Sequence, residues 1–468
     1  VSTVFNIDRE HPEYLAKRAM WRTYRDLYAG GEQFKAHACE YLVRRQKEPL
    51  DVYSERLSRV FYENYLGSII DWFAATLFRR EPIMSYQGSN EAAREFFGRF
   101  IEDCDLRGTS LTDFVRRVLI EALVTGTGYV LVDFPRSTTP VTNRADEEAV
   151  GRARAYLVDC RAEELINWSY DSNGNLDWVV IRTSHMRQDR DGDATWIREK
   201  RWVYYDKENF QIYRKADRGD ELGKPELVDE GRHALARLGR VPIFELKLSE
   251  GMWLSNKAAM LQLEHFNKSN ALAWALTMGL FAMPVVYSDR EWNQIVGESY
   301  YIQLGPDDKF GWTEPQGNVY QIASENLTRL KDEIYRVCYL LTQAGGTLSG
   351  GTAQSGLSKQ RDFTITQEVL RGYGDTVKDL VKRVLCAVEA AREDGMTVDI
   401  SGLDEFDIGD FSDELEDATK LLSLGVGSKT LRKQVLKKLS LKYLCDVNQE
   451  VKDQIVREIE AWCEQPLN

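Results

Sequence analysis

The chain has 468 residues, 61 Lys and Arg against 74 Asp and Glu, and a net charge of −13. That length suffices for two to four domains, and the 43% hydrophobic and 29% charged content is that of an ordinary globular protein. The acidic balance argues against a protein that coats nucleic acid, because such proteins gain affinity from a basic face that releases counterions.

The first third reads as helix. His11-Pro12 opens one, with proline tolerated in a first turn. Tyr14, Trp21, Tyr24 and Tyr28 fall on one stripe, and Gly30-Gly31 ends it. A long helix is expected from Asp51 to Arg79, before Pro82. Another begins at Ser110, with Asp113 placed for a capping box, and ends at Gly126 and Gly128. YVLVDF, 129–134, reads as a strand. Residues 136–155 are polar and read as a mobile loop.

An antiparallel meander is expected next. Leu165–Tyr170 and Leu176–Thr183 flank DSNGN, where Asn-Gly tolerates positive φ. RDGD at 190–193 marks a further turn, and Trp202–Tyr205 and Phe210–Tyr213 flank another. VPIFEL, with Pro242 and Phe244, is expected to close the meander. A helix over 256–280 follows, then a small β-rich insertion containing PVVYS, YYIQL, GPDD, KFGW and NVYQI. A second helix is expected over 325–343. A glycine-rich loop, a long helix from Ser358 to Glu393, and a charged helical tail from Asp413 to Trp462 complete the chain.

Few residues point to chemistry. The cysteines (39, 104, 160, 338, 386, 445 and 463) form no CxxC pair and read as thiols in a reducing compartment. His37 and Cys39 are close, but no second pair completes a tetrahedral metal site. QDRDGDATWIRE only superficially resembles a calcium loop, because its glycine follows the second aspartate too soon. The acidic run 404–417 reads as a solvated face. The basic stretch 429–442, with Leu431, Val435, Leu436 and Leu439 as its stripe, reads as a packing helix or a contact to phosphates. No leader is visible in VSTVFNIDREHPEY. Ser269–Ser288 is uncharged, but Gly279 and Pro284 interrupt it, so a helix buried against protein explains it better than a membrane span.

The segment AGGTLSGGTAQSGLSKQ, 344–360, nearly matches a phosphate-cradling loop. A true one has lysine directly after the last glycine and runs from strand to helix. Here Leu357 stands at that position, Lys359 is displaced, and the preceding segment reads as helix.

Taken in order, several stretches resemble portal proteins of tailed bacteriophages. They are HPEYLAKRAMWRTYRDLYAGGEQFK, YLVRR, YSERLSRVFYENYLGSIIDWFAATLFRREP, GTGYVLVDFP, VPIFEL, LEHFNKSNALAWAL, MPVVYS, LLSLGVGSKTLRKQVL and VREIEAW. The resemblance implies an α+β, mainly α protomer. Residues 1–250 would form a wing, helical over 1–126 and antiparallel β over 129–250. Residues 251–280 and 325–343 would form a two-helix stem around a clip, 281–324. A tunnel loop, 344–358, a long wing helix, 359–395, and a helical C-terminal crown, 396–468, would follow.

By the same resemblance the protein would be a non-enzymatic virion component without a cofactor. It would form a ring, usually a dodecamer, at one capsid vertex and be assembled in the host cytoplasm. Double-stranded DNA would pass through the bore during packaging and ejection. Terminase large subunit, head-completion or adaptor proteins, major capsid protein and scaffolding protein would be its partners, with no membrane. Gly345, Gly346, Thr347, Ser349, Thr352, Gln354, Ser355 and Lys359 would face the DNA. Leu261, Phe266, Leu272, Trp274 and Leu276 would pack between subunits. The glycines suit a loop that must take different backbone states around a duplex of mismatched symmetry, and its hydroxyls would not hold phosphates as lysines would. Three other readings stay open: the glycine-rich loop as a flexible connector with no DNA contact, a cytoplasmic nucleotide-binding enzyme using 345–359, and a membrane-associated assembly protein using 269–288.

Overall fold

The computed structural model describes residues 6–87, 90–135, 154–188, 196–217, 224–279, 283–287, 307, 309–313, 317–340, 356–403, 411–423, 428–444 and 449–464. The chain divides into two compact units. Unit 1 comprises 1–25, 70–256 and 364–468; unit 2 comprises 26–69 and 257–363.

In unit 1, local capping sets the helix ends. Helix α1 (Pro12–Ala29) carries Tyr14 and Trp21 into a core with Ile166, Val180 and Trp202, and the Trp21 indole donates to the Thr125 carbonyl. Farther along the chain, α6 (Glu91–Glu102) starts at Asn90, whose side chain accepts from the Ala93 N–H. Helix α7 (Leu111–Thr125) starts at Ser110, which accepts from Asp113, and ends at Gly126 with φ 87°. That glycine is doubly required: the φ is left-handed, and a Cβ would lie 3.0 Å from the Trp253 ring.

Three antiparallel sheets follow. Strand β2 (Thr127–Asp133) lies between β3 (Tyr156–Cys160) and β9 (Ile243–Lys247). Thus VPIFEL does not close the meander; its buried Ile243, Phe244 and Leu246 pair with β2 instead. The meander is β4 (Leu165–Tyr170), β5 (Leu176–Gln188), β6 (Trp196–Tyr205), β7 (Asn209–Asp217) and β8 (Glu226–Arg232). One face of it shares a core with Leu131 and Ile243. The expected loop 136–155 and turn 190–193 lie largely or wholly outside the described residues. Strands β1 (Ile83–Gln87) and β12 (Thr397–Ser401) pair across more than 300 residues of sequence. The long helix α10 (Gly356–Arg392) buries Leu370, Tyr373, Val377, Leu380 and Val384, and the Tyr373 hydroxyl donates to the Met252 carbonyl. Arg25 bridges Glu121 and Glu163 through four hydrogen bonds of 2.7–3.0 Å. Burial opposes its charge, but the bonds to both carboxylates outweigh that and raise its pKa.

Unit 2 holds α2 (Gly31–Ala36), α3 (Ala38–Tyr41), α4 (Leu50–Ser58), the start of α5 (Tyr65–Leu77), most of α8 (Leu254–Gly279), strands β10 (Met283–Tyr287) and β11 (Lys309–Thr313), and α9 (Gly317–Val337). The single helix expected over 51–79 is two helices. Asn64 starts the second: its Oδ1 accepts from the Gly67 N–H at 2.8 Å, so α5 has its own N-cap, while its Nδ2 donates to the Tyr28 carbonyl. The second arm begins at Gly317 and ends at Val337, not 325–343, because NVYQI is its first turns and not a strand. YYIQL lies outside the described residues.

Candidate functional site

Within unit 2, α8 and α9 run antiparallel. Lys257 Nζ donates to the Tyr339 hydroxyl, Lys268 Nζ to Asn326 Oδ1 at 3.1 Å, and the Tyr320 hydroxyl to the Ala275 carbonyl at 3.3 Å. Strands β10 and β11 continue the pairing, from Met283 opposite Thr313 to Tyr287 opposite Lys309. One register therefore runs from the helices into the strand pair. Helices of 26 and 21 residues measure about 39 and 32 Å at 1.5 Å per residue.

The lower part of this hairpin is fastened to the segment 41–66 by three carboxamides on α8. Gln262 accepts from the Leu66 N–H (3.2 Å) and donates to the Glu63 carbonyl (2.8 Å). Asn267 accepts from Val43 (2.9 Å) and donates to the Tyr41 carbonyl (3.0 Å). Asn270 treats Phe61 the same way, at 3.2 and 2.9 Å. Each amide pairs with backbone as a neighbouring strand would, so the chain at Tyr41–Val43 and the non-helical stretch between α4 and α5 find hydrogen-bond partners on α8. Phe34 stacks between Tyr41 and Tyr62, with Phe266 edge-on at 4.9 Å.

Burial fades along the hairpin. Ala258, Ala259, Gln262, His265, Phe266 and Ser269 are buried, as are Leu330, Ile334 and Cys338 on the other arm. Residues 271–275 are half-buried. Nearer the strands, Leu276 is 44% exposed, and Val319, Ile322 and Tyr287 are each 65% exposed. Large side chains shown to water at the strand end of both arms, over a tightly packed base, make this hairpin the candidate interaction site.

Two titratable groups sit in the base. His265 is 3% exposed, with Nε2 3.4 Å from Glu63 Oε2 and a buried Nδ1 that has no hydrogen-bond partner. Burial lowers its pKa; Glu63 opposes this and Lys331 adds to it. The buried Asp26 carboxylate is bonded by His37 Nδ1 (2.8 Å), Tyr41 (2.7 Å) and Gln33 (3.0 Å). His37 thus serves a carboxylate, and among the described residues no group of three or more His, Cys, Asp or Glu could hold a metal ion.

Of the expected intersubunit residues, Leu261, Leu272 and Trp274 are half-buried and Leu276 is exposed. Phe266 is 1% exposed, its ring edge-on to Phe34 inside unit 2. Val319 and Ile322, exposed on the other arm, fall in a segment that read as strand; their i,i+3 spacing was the available helical signal. Gly345, Gly346, Thr347, Ser349, Thr352, Gln354 and Ser355 lie outside the described residues, and Lys359 stands in the first turns of α10. The basic stretch is the helix Lys429–Tyr443, whose Lys433 and Lys437 meet Glu460. No described helix is long and apolar enough to cross a membrane. The described cysteines 39, 104, 160, 338 and 386 are free.

No family model matches the sequence, and no curated protein matches it. Solved structures similar to the chain include three of gene transfer agent (GTA) particles. For the neck of an empty particle computed with C6 symmetry, identity is 12%, covering 84% of this chain and 95% of that one, with a TM-score of 0.43. For the virion of the native particle the values are 13%, 86%, 97% and 0.39. For the neck of the native particle computed with C12 symmetry they are 12%, 79%, 89% and 0.37. Likeness at these levels carries no functional argument.

Proposed function

We propose that this chain is a portal-type protein: identical copies form a ring, of twelve by the family resemblance, that conducts double-stranded DNA at one vertex of a tailed-phage capsid. The observation that carries the reading is the hairpin of α8 and α9. Two helical arms in one register close through a strand pair, and both show apolar side chains near that end. Such a hairpin is a stem with a clip, and Leu272, Trp274, Leu276, Val319 and Ile322 are its intersubunit face. Heterologous contacts of this kind close into rings.

In this reading the β10–β11 end meets terminase and later the head-completion protein, and the glycine-rich segment 344–358 lines the bore. No catalytic role is assigned. Shortening Gly345–Gly356 tests the loop assignment. Rings then form as before while packaged DNA per particle falls; undiminished packaging would remove the loop from the bore.

A further inference from the structure

Beyond its core, the inner face of the meander turns cationic. Ile181, Val203 and Ile212 lie in the core shared with β2 and β9. Two residues onward along each strand, the same face presents Thr183, Arg201 and Arg214 side by side across β5, β6 and β7. His185, Glu199 and Ala216 form the next row, and Arg187 lies beyond it opposite Ile197. Arg201 and Arg214 are thus like charges placed directly opposite each other, an arrangement that destabilises a sheet. Glu199 is the one acid among these eight residues, and its side chain is 5% exposed. His185 Nε2 lies 3.3 Å from it, Arg187 Nε 3.4 Å and Arg214 Nε 3.7 Å. Among the described residues Arg201 has no ion pair, and its buried Nε has no hydrogen-bond partner. Glu226, opposite Arg214 on β8, is exposed and forms no ion pair with it.

We propose that this face binds one dianionic phosphate group, held by Arg187, Arg201 and Arg214. Three arginines less Glu199 leave a surplus of two positive charges; His185 adds to it only when protonated. A phosphate monoester carries about −1.5 to −2 charges at pH 7 and three strong acceptor oxygens, one for each guanidinium. Arginine is the residue suited to that geometry, because its planar fork meets phosphate oxygens in pairs. A carboxylate brings half the charge. A duplex brings singly charged diesters in a row, and would meet Glu226, Asp229 and Glu230 on the neighbouring β8. Bound phosphate offsets the opposition of Arg201 and Arg214 and supplies acceptors that the protein itself does not. The site lies within unit 1 and stands whether or not copies form a ring.

The test is equilibrium dialysis of the 468-residue chain against radiolabelled inorganic phosphate at fixed ionic strength. One phosphate per chain is expected. Arg201→Gln should weaken binding at least ~10-fold, the loss of one charge-assisted contact. In phosphate-free buffer it should unfold at or above the wild-type temperature, because an opposed charge is gone. Arg187→Gln, at a half-exposed position, should repeat the loss of binding. Arg198→Gln, on the other face of β6, should bind as the wild type does. Unlabelled phosphate, a phosphoserine peptide and duplex DNA then compete for the site. Displacement by the peptide at lower concentration than by phosphate assigns the site to a phosphorylated side chain; otherwise it belongs to the free ion. Displacement by duplex DNA at equal phosphate concentration would overturn the dianion assignment. No binding by the wild type, or undiminished binding by Arg201→Gln and Arg187→Gln, would remove the site.

Discussion

Asn270 and Phe61 lie 209 positions apart and share two hydrogen bonds: the Asn270 amide donates to the Phe61 carbonyl at 2.9 Å, and the Phe61 N–H donates to Asn270 Oδ1 at 3.2 Å. With Gln262 and Asn267, this pair lets a helix satisfy a strand-like backbone without a sheet.

Gln262 is the most consequential of the three, because it is fully buried. Gln262→Ala strands the Leu66 N–H and the Glu63 carbonyl and should cost about 1–3 kcal/mol. Asn270→Ala should cost less, since Asn270 is only half-buried and water can replace it. Denaturant midpoints at constant m-value check the order; equal losses would show that burial does not set the cost.

His265 should make stability pH-dependent. Its pKa is lowered on folding from the ordinary 6.5, with burial as the main cause, so the folded state binds fewer protons than the unfolded one. Its contribution is complete above pH 6.5 and is lost as the pH falls from there toward the folded-state value. His265→Leu should flatten the stability profile between pH 7 and 5. His233 also has a lowered pKa, again chiefly through burial, and will keep part of the slope. An unchanged profile would mean that His265 titrates alike in both states.

Phe266 and Leu276 share a helix but should fail differently. Phe266→Ala empties an aromatic core position and should cost about 3–5 kcal/mol of folding stability. Leu276→Asp changes an exposed position, and should leave the monomer's midpoint within about 0.5 kcal/mol while preventing ring assembly. Thermal unfolding and sedimentation together separate the two, and rings from Leu276→Asp would place the contact elsewhere.

What the sequence disclosed was local. Ser110, Asp113 and Gly126 announce both ends of α7 because a cap and a left-handed stop act within four residues. Asn-Gly at 173–174 likewise announces the β4–β5 turn, where Gly174 has φ 79°. The break at 59–64 was hidden because its hydrogen-bond partners are on α8, about 200 residues onward. Strands β1 and β12 are five residues each, with partners more than 300 positions away. NVYQI misled through its branched and aromatic residues, although Tyr320, Ala323, Leu327, Leu330 and Ile334 keep helical spacing. At the candidate site, Leu276 was legible as an apolar position, but Phe266 looked the same: spacing cannot say whether an apolar residue serves its own core or a neighbour's.

In the reading proposed above, the α8–α9 hairpin joins identical copies around an open axis, and negative-stain imaging of the purified 468-residue chain decides whether it does. Closed rings with a stain-filled central hole are predicted, lost on Leu276→Asp; a compact monomer across all concentrations and salts would contradict the claim.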